Sequence, residues 1–376
     1  MKVLKIALTG GPCGGKTTSL TTIEEKFTEK GYEVIIVQEA ATQLINSGHK
    51  PANGSAKEIY KFQRKIMQQQ FNLEEEAERK AEQTDKPTII VCDRGLLDNK
   101  AYMSKNAYKR LVREFKTTQF DLLNRYDLVM HLKTAADGKE EIYESEKGNN
   151  KARSETAEEA REKDAKTLEA WLGHDNLKIF GNDTDFETKI EGTLIEIHKM
   201  LKTSYPIQKQ EKYLVTAFDM ESLIKKHPVT IKIEQYAMLT EFGEIMYRKS
   251  MKGSETKYTK ITKTDTQDEK ERIVTRKIIT KKEYLKNFKE SIPPLKKTRY
   301  CFEYSNQYFR LDIFEDGLML LEIEETNKTR RRAIPKFITI AEDVTTSPEY
   351  RNAVIYINKN TPPKVYKKKI YLLQRI

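Results

Sequence analysis

The 376-residue chain carries 68 Lys and Arg against 57 Asp and Glu, a formal charge of +11, and 33% of its residues are charged. That length exceeds one ordinary domain and points to two, each large enough for its own core, while the basic balance favours polyanionic partners such as nucleotides, phosphorylated lipids or acidic protein tails. The three cysteines have no metal-ligand spacing, and no apolar run reaches membrane-spanning length or looks like a signal peptide, so a reduced, cytoplasmic setting is expected.

The first element is an apolar run, Val3-Leu4-Lys5-Ile6-Ala7-Leu8, followed at once by TGGPCGGKTT at residues 9–18. Gly10, Gly15, Lys16 and Thr17 fit G-x-x-x-x-G-K-[ST], and the stretch after them has Leu20, Ile23 and Phe27 at helical spacing before stopping at Gly31. In this strand, loop and helix, N–H groups freed by Gly10, Gly11, Gly14 and Gly15 would wrap a β-phosphate. Lys16 would bridge β- and γ-oxygens and Thr17 would ligate Mg²⁺, with Thr18 a further nucleotide contact.

β-Runs at 33–37, 88–92, 127–132 and 177–180 alternate with helical patterns, which predicts an α/β domain with a parallel sheet covered on both faces. Ser55-Ala56-Lys57-Glu58 reads as a capping box opening a long scaffold helix with Ile59, Phe62 and Ile66 on one face. Glu39 follows the second strand, and Asp93, Arg94 and Asp98 follow the third, so these groups fall at the phosphate end of the sheet. Asp93 is the candidate Mg²⁺-side carboxylate, with Arg94 near transferred phosphate; helix capping is the alternative for Asp93 and, equally, for Glu39. The charged segment 137–170, with Asn149, Asn150, Arg153 and Arg161, reads as a lid in which Arg153 closes on γ-oxygens and Arg161 either joins it or lies on a solvated helix. Asn182, in Gly181-Asn182-Asp183 after the last strand, is a candidate for reading the nucleobase, although the triplet is also ordinary turn chemistry.

Together TGGPCGGKTT, the EAAT after strand two, DRG after strand three, HLKTAADG, NNKARSE and WLGHDNLKIFGND resemble the P-loop domain shared by nicotinamide riboside kinases and the TRPL-translocation-defect GTP-binding proteins. The glycine doublets flanking Pro-Cys and the HLKTAADG and NNKARSE runs are closer to the second group. That resemblance implies GTP and Mg²⁺ binding, and a second domain related to the CYTH, or triphosphate-tunnel, fold.

The first domain is expected at 1–202, a linker at 203–207, the second domain at 208–362, and a basic tail at 363–376 that packs back, touches a membrane surface or docks on a partner. Strand signals recur at 212–215, 229–236, 244–249, 258–263, 272–279, 299–304, 308–314 and 318–324. In the second of these, Thr230, Lys232 and Glu234 oppose Val229, Ile231 and Ile233; Arg272 and Arg276 share a face, as do Lys297 and Arg299, and Glu322 and Glu324. This alternation suits either a sheet with one solvated face or a closed, mainly antiparallel barrel that gathers cations around phosphates, with Glu322 and Glu324 balancing them or holding a cation.

KYLV at 212–215, LLEIE at 320–324 and the run from Asp343-Val344-Thr345 to Tyr350 and Asn352 are similar to successive CYTH elements, which favours the barrel. CYTH enzymes open on Glu-x-Glu-x-Lys, whose carboxylates ligate a divalent metal. Here the stretch is Gln208-Lys209-Gln210-Glu211-Lys212, and Val274 and Arg276 stand where two more acids are expected. With Lys212, Lys232, Arg272, Lys297, Arg299 and Arg310 retained, the resemblance implies a basic receptor for phosphorylated inositol lipids or another polyphosphate, and argues against metal-dependent triphosphate hydrolysis.

The leading expectation is a Mg²⁺-dependent nucleotide-binding protein, GTP before ATP, with slow hydrolysis coupled to an anion-binding barrel. Three alternatives stay open. One is an ATP-using nucleoside-type kinase in which Glu39, Asp93 and Asp98 address an acceptor hydroxyl; the others are triphosphate chemistry in the barrel and a non-catalytic scaffold with protein partners. Nucleic acid is not expected, since only the basic charge supports it.

Overall fold

The structure is a computed structural model that describes residues 3–49, 54–149, 156–201, 207–269, 271–286, 292–324 and 333–360, with the backbone alone for 146–149 and 207–209. The chain divides into two units, Met1–His198 and Lys199–Ile376.

In the first unit the buried run at the N-terminus becomes β1 (Val3–Gly10), and the glycine loop delivers the chain into α1 (Lys16–Thr28), which ends before Gly31 at φ 84°. Then come β2 (Glu33–Val37), α2 (Ala40–Asn46), α3 (Ala56–Glu82), β3 (Thr88–Asp93), a 3₁₀ turn (Leu96–Tyr102), α4 (Lys105–Glu114), α5 (Gln119–Asn124), β4 (Leu128–Leu132), α6 (Glu140–Asn149), α7 (Ala157–Trp171), β5 (Leu177–Phe180) and α8 (Phe186–Leu201). The strands form one parallel sheet in the order β2-β3-β1-β4-β5. β1, β3 and β4 are buried nearly end to end, which explains why they read as continuous apolar runs. Every strand points its carboxyl end at the side where the glycine loop lies, so ligand chemistry concentrates there.

The capping box forms as expected, with the Ser55 hydroxyl accepting from the Glu58 N–H and Glu58 accepting from the Ser55 N–H. The buried stripe of α3, however, is Gln63, Met67, Gln70, Glu74, Ala77 and Ala81, while Ile59, Phe62 and Ile66 are half-buried. The stripe is polar because Glu74, fully buried, neutralises Lys5 at 2.6 Å and Arg125 at 3.1 Å and accepts from the Tyr126 hydroxyl at 2.5 Å. A buried charge needs such partners, and here they tie α3 to the central strand β1 and to the turn that enters β4.

The second unit contains β6 (Ile207–Phe218), α9 (Met220–Ile224), β7 (Val229–Thr240), β8 (Gly243–Lys252), β9 (Glu255–Asp265), β10 (Glu271–Ile278), α10 (Lys281–Lys286), β11 (Leu295–Tyr304), β12 (Gln307–Phe314), β13 (Met319–Glu324), β14 (Ile338–Asp343) and α11 (Asn352–Asn360). All eight expected strands are present. They pair antiparallel in the order β10-β9-β8-β7-β11-β12-β13-β6, and β10 pairs back with β6 to close the barrel, while β14 extends one edge of β6. Closure excludes the alternative of an open sheet with one solvated face.

The barrel has apolar and charged layers. Outside, Phe302, Phe309, Leu311, Leu321 and Ile323 pack with Ile338 of β14 and Leu223 of α9. Ala353, Ile355 and Tyr356 of α11 pack with Met246, Ile261, Phe314 and Leu320, while the register aligns Lys212 with Glu322, and Arg299 with Asp312, on the inward face. Among the described residues no helix is long and apolar enough to cross a membrane. The tail 363–376 and linker residues 203–206 lie outside the described residues.

Candidate functional site

The loop at residues 9–18 can form only because its glycines lack a side chain. Gly10 adopts φ 133°, where an added Cβ would lie 2.0 Å from the Leu132 carbonyl oxygen, and Gly15 adopts φ 91°. The loop is held from below by residues that are far away in sequence. Asp164 of α7 accepts from the Gly11 N–H at 2.7 Å and the Thr134 N–H at 3.2 Å, and lies 3.1 Å from His131 Nε2 and 3.4 Å from Lys133 Nζ. Burial opposes charge on Asp164, but His131, Lys133 and the Gly11 N–H outweigh it and hold the carboxyl far below the usual range. The Thr134 hydroxyl donates to the Pro12 carbonyl at 2.6 Å.

Above this base, Lys16 folds onto the loop and donates to the carbonyls of Gly10 at 3.1 Å and Gly11 at 2.7 Å. Burial, aided by the Arg94 charge, lowers its amine to about 8. Arg94, at φ 69°, donates through Nε to Glu39 at 2.5 Å and through Nη1 to the Gly10 carbonyl at 3.3 Å. Burial works against charge on Glu39, and Arg94 overrides it to hold the carboxyl below its ordinary value. Asp98 is buried and accepts from the Thr9 hydroxyl at 2.8 Å and the Trp171 indole at 2.6 Å.

Asp93 differs from both. Its Oδ1 is buried without a hydrogen-bond partner, and burial followed by the nearby Glu39 pushes its carboxyl up. An orphaned carboxylate oxygen beside a lysine and a phosphate-type loop fits a hard divalent cation, for which Thr17 supplies a second oxygen donor. Thr17 and Thr18 are both exposed at the start of α1.

Two expectations change here. Asn182 is no free base reader: its amide donates to the carbonyls of Thr134 at 2.7 Å and Asp137 at 2.8 Å and accepts from Lys189 at 2.8 Å, so it staples two loops together. The lid expected at 137–170 is packed in its second half, since α7 buries Ala160, Asp164, Thr167, Leu168 and Trp171. Arg161 lies on the exposed side of α7, the solvated-helix alternative, donating to the Ala136 carbonyl at 2.8 Å and pairing with the exposed Glu140 at 3.2 Å. Arg153 and Asn150 lie outside the described residues, as does the side chain of Asn149.

In the barrel, the expected cations separate into three groups. Lys297, Arg299 and Arg310 are buried and neutralised: Asp312 binds Lys297 at 2.5 Å and Arg299 at 2.6 and 2.7 Å, Glu322 binds Arg299 at 3.0 Å, and Arg310 pairs with Glu324. They form a charged core, which corrects their reading as anion ligands, and Glu322 and Glu324 balance them. Lys232 is exposed on the outer face of β7, because there the alternation turns Ile231, Ile233 and Gln235 inward. Lys212 and Arg272 remain, and they line an open cleft with Lys263, Arg351, Glu269, Thr345 and Ser347. Lys212 is shared with Glu322 at 3.5 Å, Arg272 with Glu244 at 3.3 Å, and Arg351 with Asp265 at 3.0 Å. Burial drives the Lys263 amine down to about 7 despite Glu244 at 4.0 Å.

Gln210 also lines this cleft and donates to Glu324 at 3.2 Å. A carboxylate at that position would face Glu324 as a like charge, so the amide suits an interior already supplied with acids. The side chain of Gln208 is outside the described set. Val274 is buried in the apolar layer.

Sequence reasoning passed over Asp164 and Lys189 in the first unit and Glu244, Lys263, Asp312 and Arg351 in the second, and it quoted Trp171 only within the WLGHDNLKIFGND run. His131 and Lys133 stood in the quoted HLKTAADG run, but Asp164 is one acid in a helix full of charges, and its role is visible only from its burial.

Residues 5–189 match the model of a family described as an AAA domain. A comparison with curated proteins gives no match. Two crystal structures are similar to 40% of this chain: the hypothetical protein NE1496, at 21% identity over 97% of that chain with a TM-score of 0.29, and the inorganic triphosphatase NE1496, at 22% identity over 94% with a TM-score of 0.28. The first unit is a P-loop NTPase-like domain, and the second is a mainly antiparallel closed barrel, the architecture expected of a CYTH-like domain.

Proposed function

We propose that this chain binds a nucleoside triphosphate with Mg²⁺ in its first unit, GTP in preference to ATP, hydrolyses it slowly, and couples that state to polyphosphate binding in the barrel. The observation that carries the reading is the pairing of Lys16, folded over the loop carbonyls, with a buried Asp93 oxygen that has no partner. Lys16 would swing onto the β- and γ-phosphates, exchanging two carbonyls for charged oxygens, and the loop N–H groups would take the β-phosphate. Mg²⁺ would be held by Thr17 and Asp93 and would neutralise phosphate charge. The guanine preference is supported by the likeness to the TRPL-translocation-defect proteins.

Hydrolysis is favoured over transfer to an acceptor because Glu39 and Asp98, the other carboxylates near the loop, are already held by Arg94, Thr9 and Trp171. In the barrel the carboxylates alternate with cations, which leaves Lys212, Lys263, Arg272 and Arg351 facing the open cleft as a receptor for a phosphorylated inositol head group or another polyphosphate.

The test is binding and turnover of GTP and ATP with Mg²⁺ by the whole chain and by Lys16→Ala, with and without nicotinamide riboside. Lys16-dependent, GTP-preferring binding with slow turnover indifferent to the nucleoside supports the proposal. Rapid turnover that requires the nucleoside sinks it in favour of a kinase.

A further inference from the structure

Phe186 is the first residue of α8 and follows the loop that leaves β5 at the carboxyl edge of the parallel sheet. A Phe side chain normally hides its ring, yet Phe186 is 49% exposed. The ring also lies against the phosphate loop, since a Cβ added to Gly15 would be 2.7 Å from one of its carbons. Gly15 therefore does two things: it permits the left-handed turn into α1, and it allows a flat ring to rest on the loop backbone with the rest of its surface open.

Two polar groups close to Phe186 in the chain are engaged with other partners. The Asn182 amide is committed to Thr134, Asp137 and Lys189, and Asp185 accepts from the Thr188 N–H at 2.8 Å and its hydroxyl at 2.7 Å. Nearby, Lys189 donates to the Lys133 carbonyl at 2.8 Å, and burial, with the Lys16 charge adding to it, lowers its amine to about 8. This rim beside the phosphate loop thus offers a half-exposed aromatic surface, with the Asn182 amide and the Asp185 carboxylate held by neighbouring groups.

We propose that Phe186 is the platform on which the nucleobase of the bound nucleotide stacks. Every base has an apolar π-face, so an aromatic ring at this position adds affinity for a nucleoside without reading its hydrogen-bonding edge. The platform rests on the nucleotide-binding reading above and deepens it: Phe186 anchors the base of GTP and ATP alike, and any preference between them arises at other groups.

The experiment measures GTP and ATP affinity for the whole chain, Phe186→Ala and Phe186→Tyr, counting only binding that Lys16→Ala abolishes. Tripolyphosphate, which has no base, is measured alongside as a competitor of labelled nucleotide at the same site. Phe186→Ala is expected to weaken both nucleotides by about 5-fold to 150-fold, the range of one base–aromatic stack. Tripolyphosphate should stay within about two-fold, and Phe186→Tyr should retain nucleotide affinity. Equal losses for nucleotide and tripolyphosphate would make Phe186 a loop-packing residue and overturn the proposal, as would unchanged nucleotide binding in Phe186→Ala. If the unaltered chain shows no Lys16-dependent nucleotide binding, the broader reading falls and takes the platform with it.

Discussion

The phosphate loop of the first unit and the basic cleft of the second are both suited to anions, but they are made of different material. The loop draws on backbone N–H groups and one lysine within residues 9–18, and its shape depends on glycines at φ 133° and 91°. The cleft draws on side chains from β6, β9, β10 and the segment before α11, each partly neutralised by an acid of the barrel. A backbone site can be specified by a short contiguous stretch and leaves the core free to be apolar. A side-chain site inside a barrel has to share its charges with the core, so binding and stability become linked.

That contrast breaks most sharply at Asp312, which holds both Lys297 and Arg299 in the barrel interior. Asp312→Asn is expected to cost the second unit about 3–5 kcal/mol, the usual penalty for stranding buried partner charges. Denaturant unfolding followed by two probes would show one transition moved and the other not. A small shift would mean that the interior is wetter than its burial suggests.

Next in size is Lys16→Ala. Loss of a charge-assisted contact to phosphate should weaken nucleotide binding roughly a hundred-fold, about 3 kcal/mol, with little effect on stability because the amine is already desolvated. With no nucleotide present, so that coupling between the sites plays no part, calorimetric titration should leave inositol polyphosphate binding by the cleft unchanged. Equal loss at both sites would contradict the separation drawn between them.

The two buried amines predict separate pH windows. Each binds anions only when protonated, so affinity falls as pH rises through the amine's own value: about 7 for Lys263 in the cleft and about 8 for Lys16 in the loop. Bound phosphate stabilises the charged form and moves both windows upward. The check is titration of each site from about pH 6 to 9.5, subtracting Lys263→Met or Lys16→Ala to remove the ionisation of the phosphate itself near pH 6. Differences that vanish at high pH in the expected order sharpen the comparison, and a shared midpoint breaks it.

The smallest effect is expected at Lys232, which is exposed on the outer face of β7. Lys232→Ala should change cleft affinity and stability by no more than about 0.5 kcal/mol. A larger loss in calorimetry would mean that anions also bind outside the barrel.

Much of the framework was legible in the chain alone. The parallel sheet followed from buried apolar runs alternating with helical spacing, and the eight barrel strands from period-two alternation, because both periodicities are set by local backbone geometry. The phosphate loop was readable for the same reason: glycines and Lys16 act through neighbours within ten residues. Which face of a strand turned inward was less clear, and Lys232 fell on the wrong side because alternation defines two faces without saying which becomes the interior.

By itself, then, the sequence determined where strands and helices lie and that residues 9–18 form a phosphate-type loop, since those depend on contacts near in the chain. Only the tertiary structure decided that Asp164 holds the loop from below, that Asn182 is spent as a staple, that Phe186 lies open on Gly15, and that Lys297, Arg299 and Arg310 are core while Lys263 and Arg351 join the cleft. Whether a charge is a ligand, a strut or a solvated end depends on its burial and its partner. Those are fixed by residues brought together from distant parts of the chain.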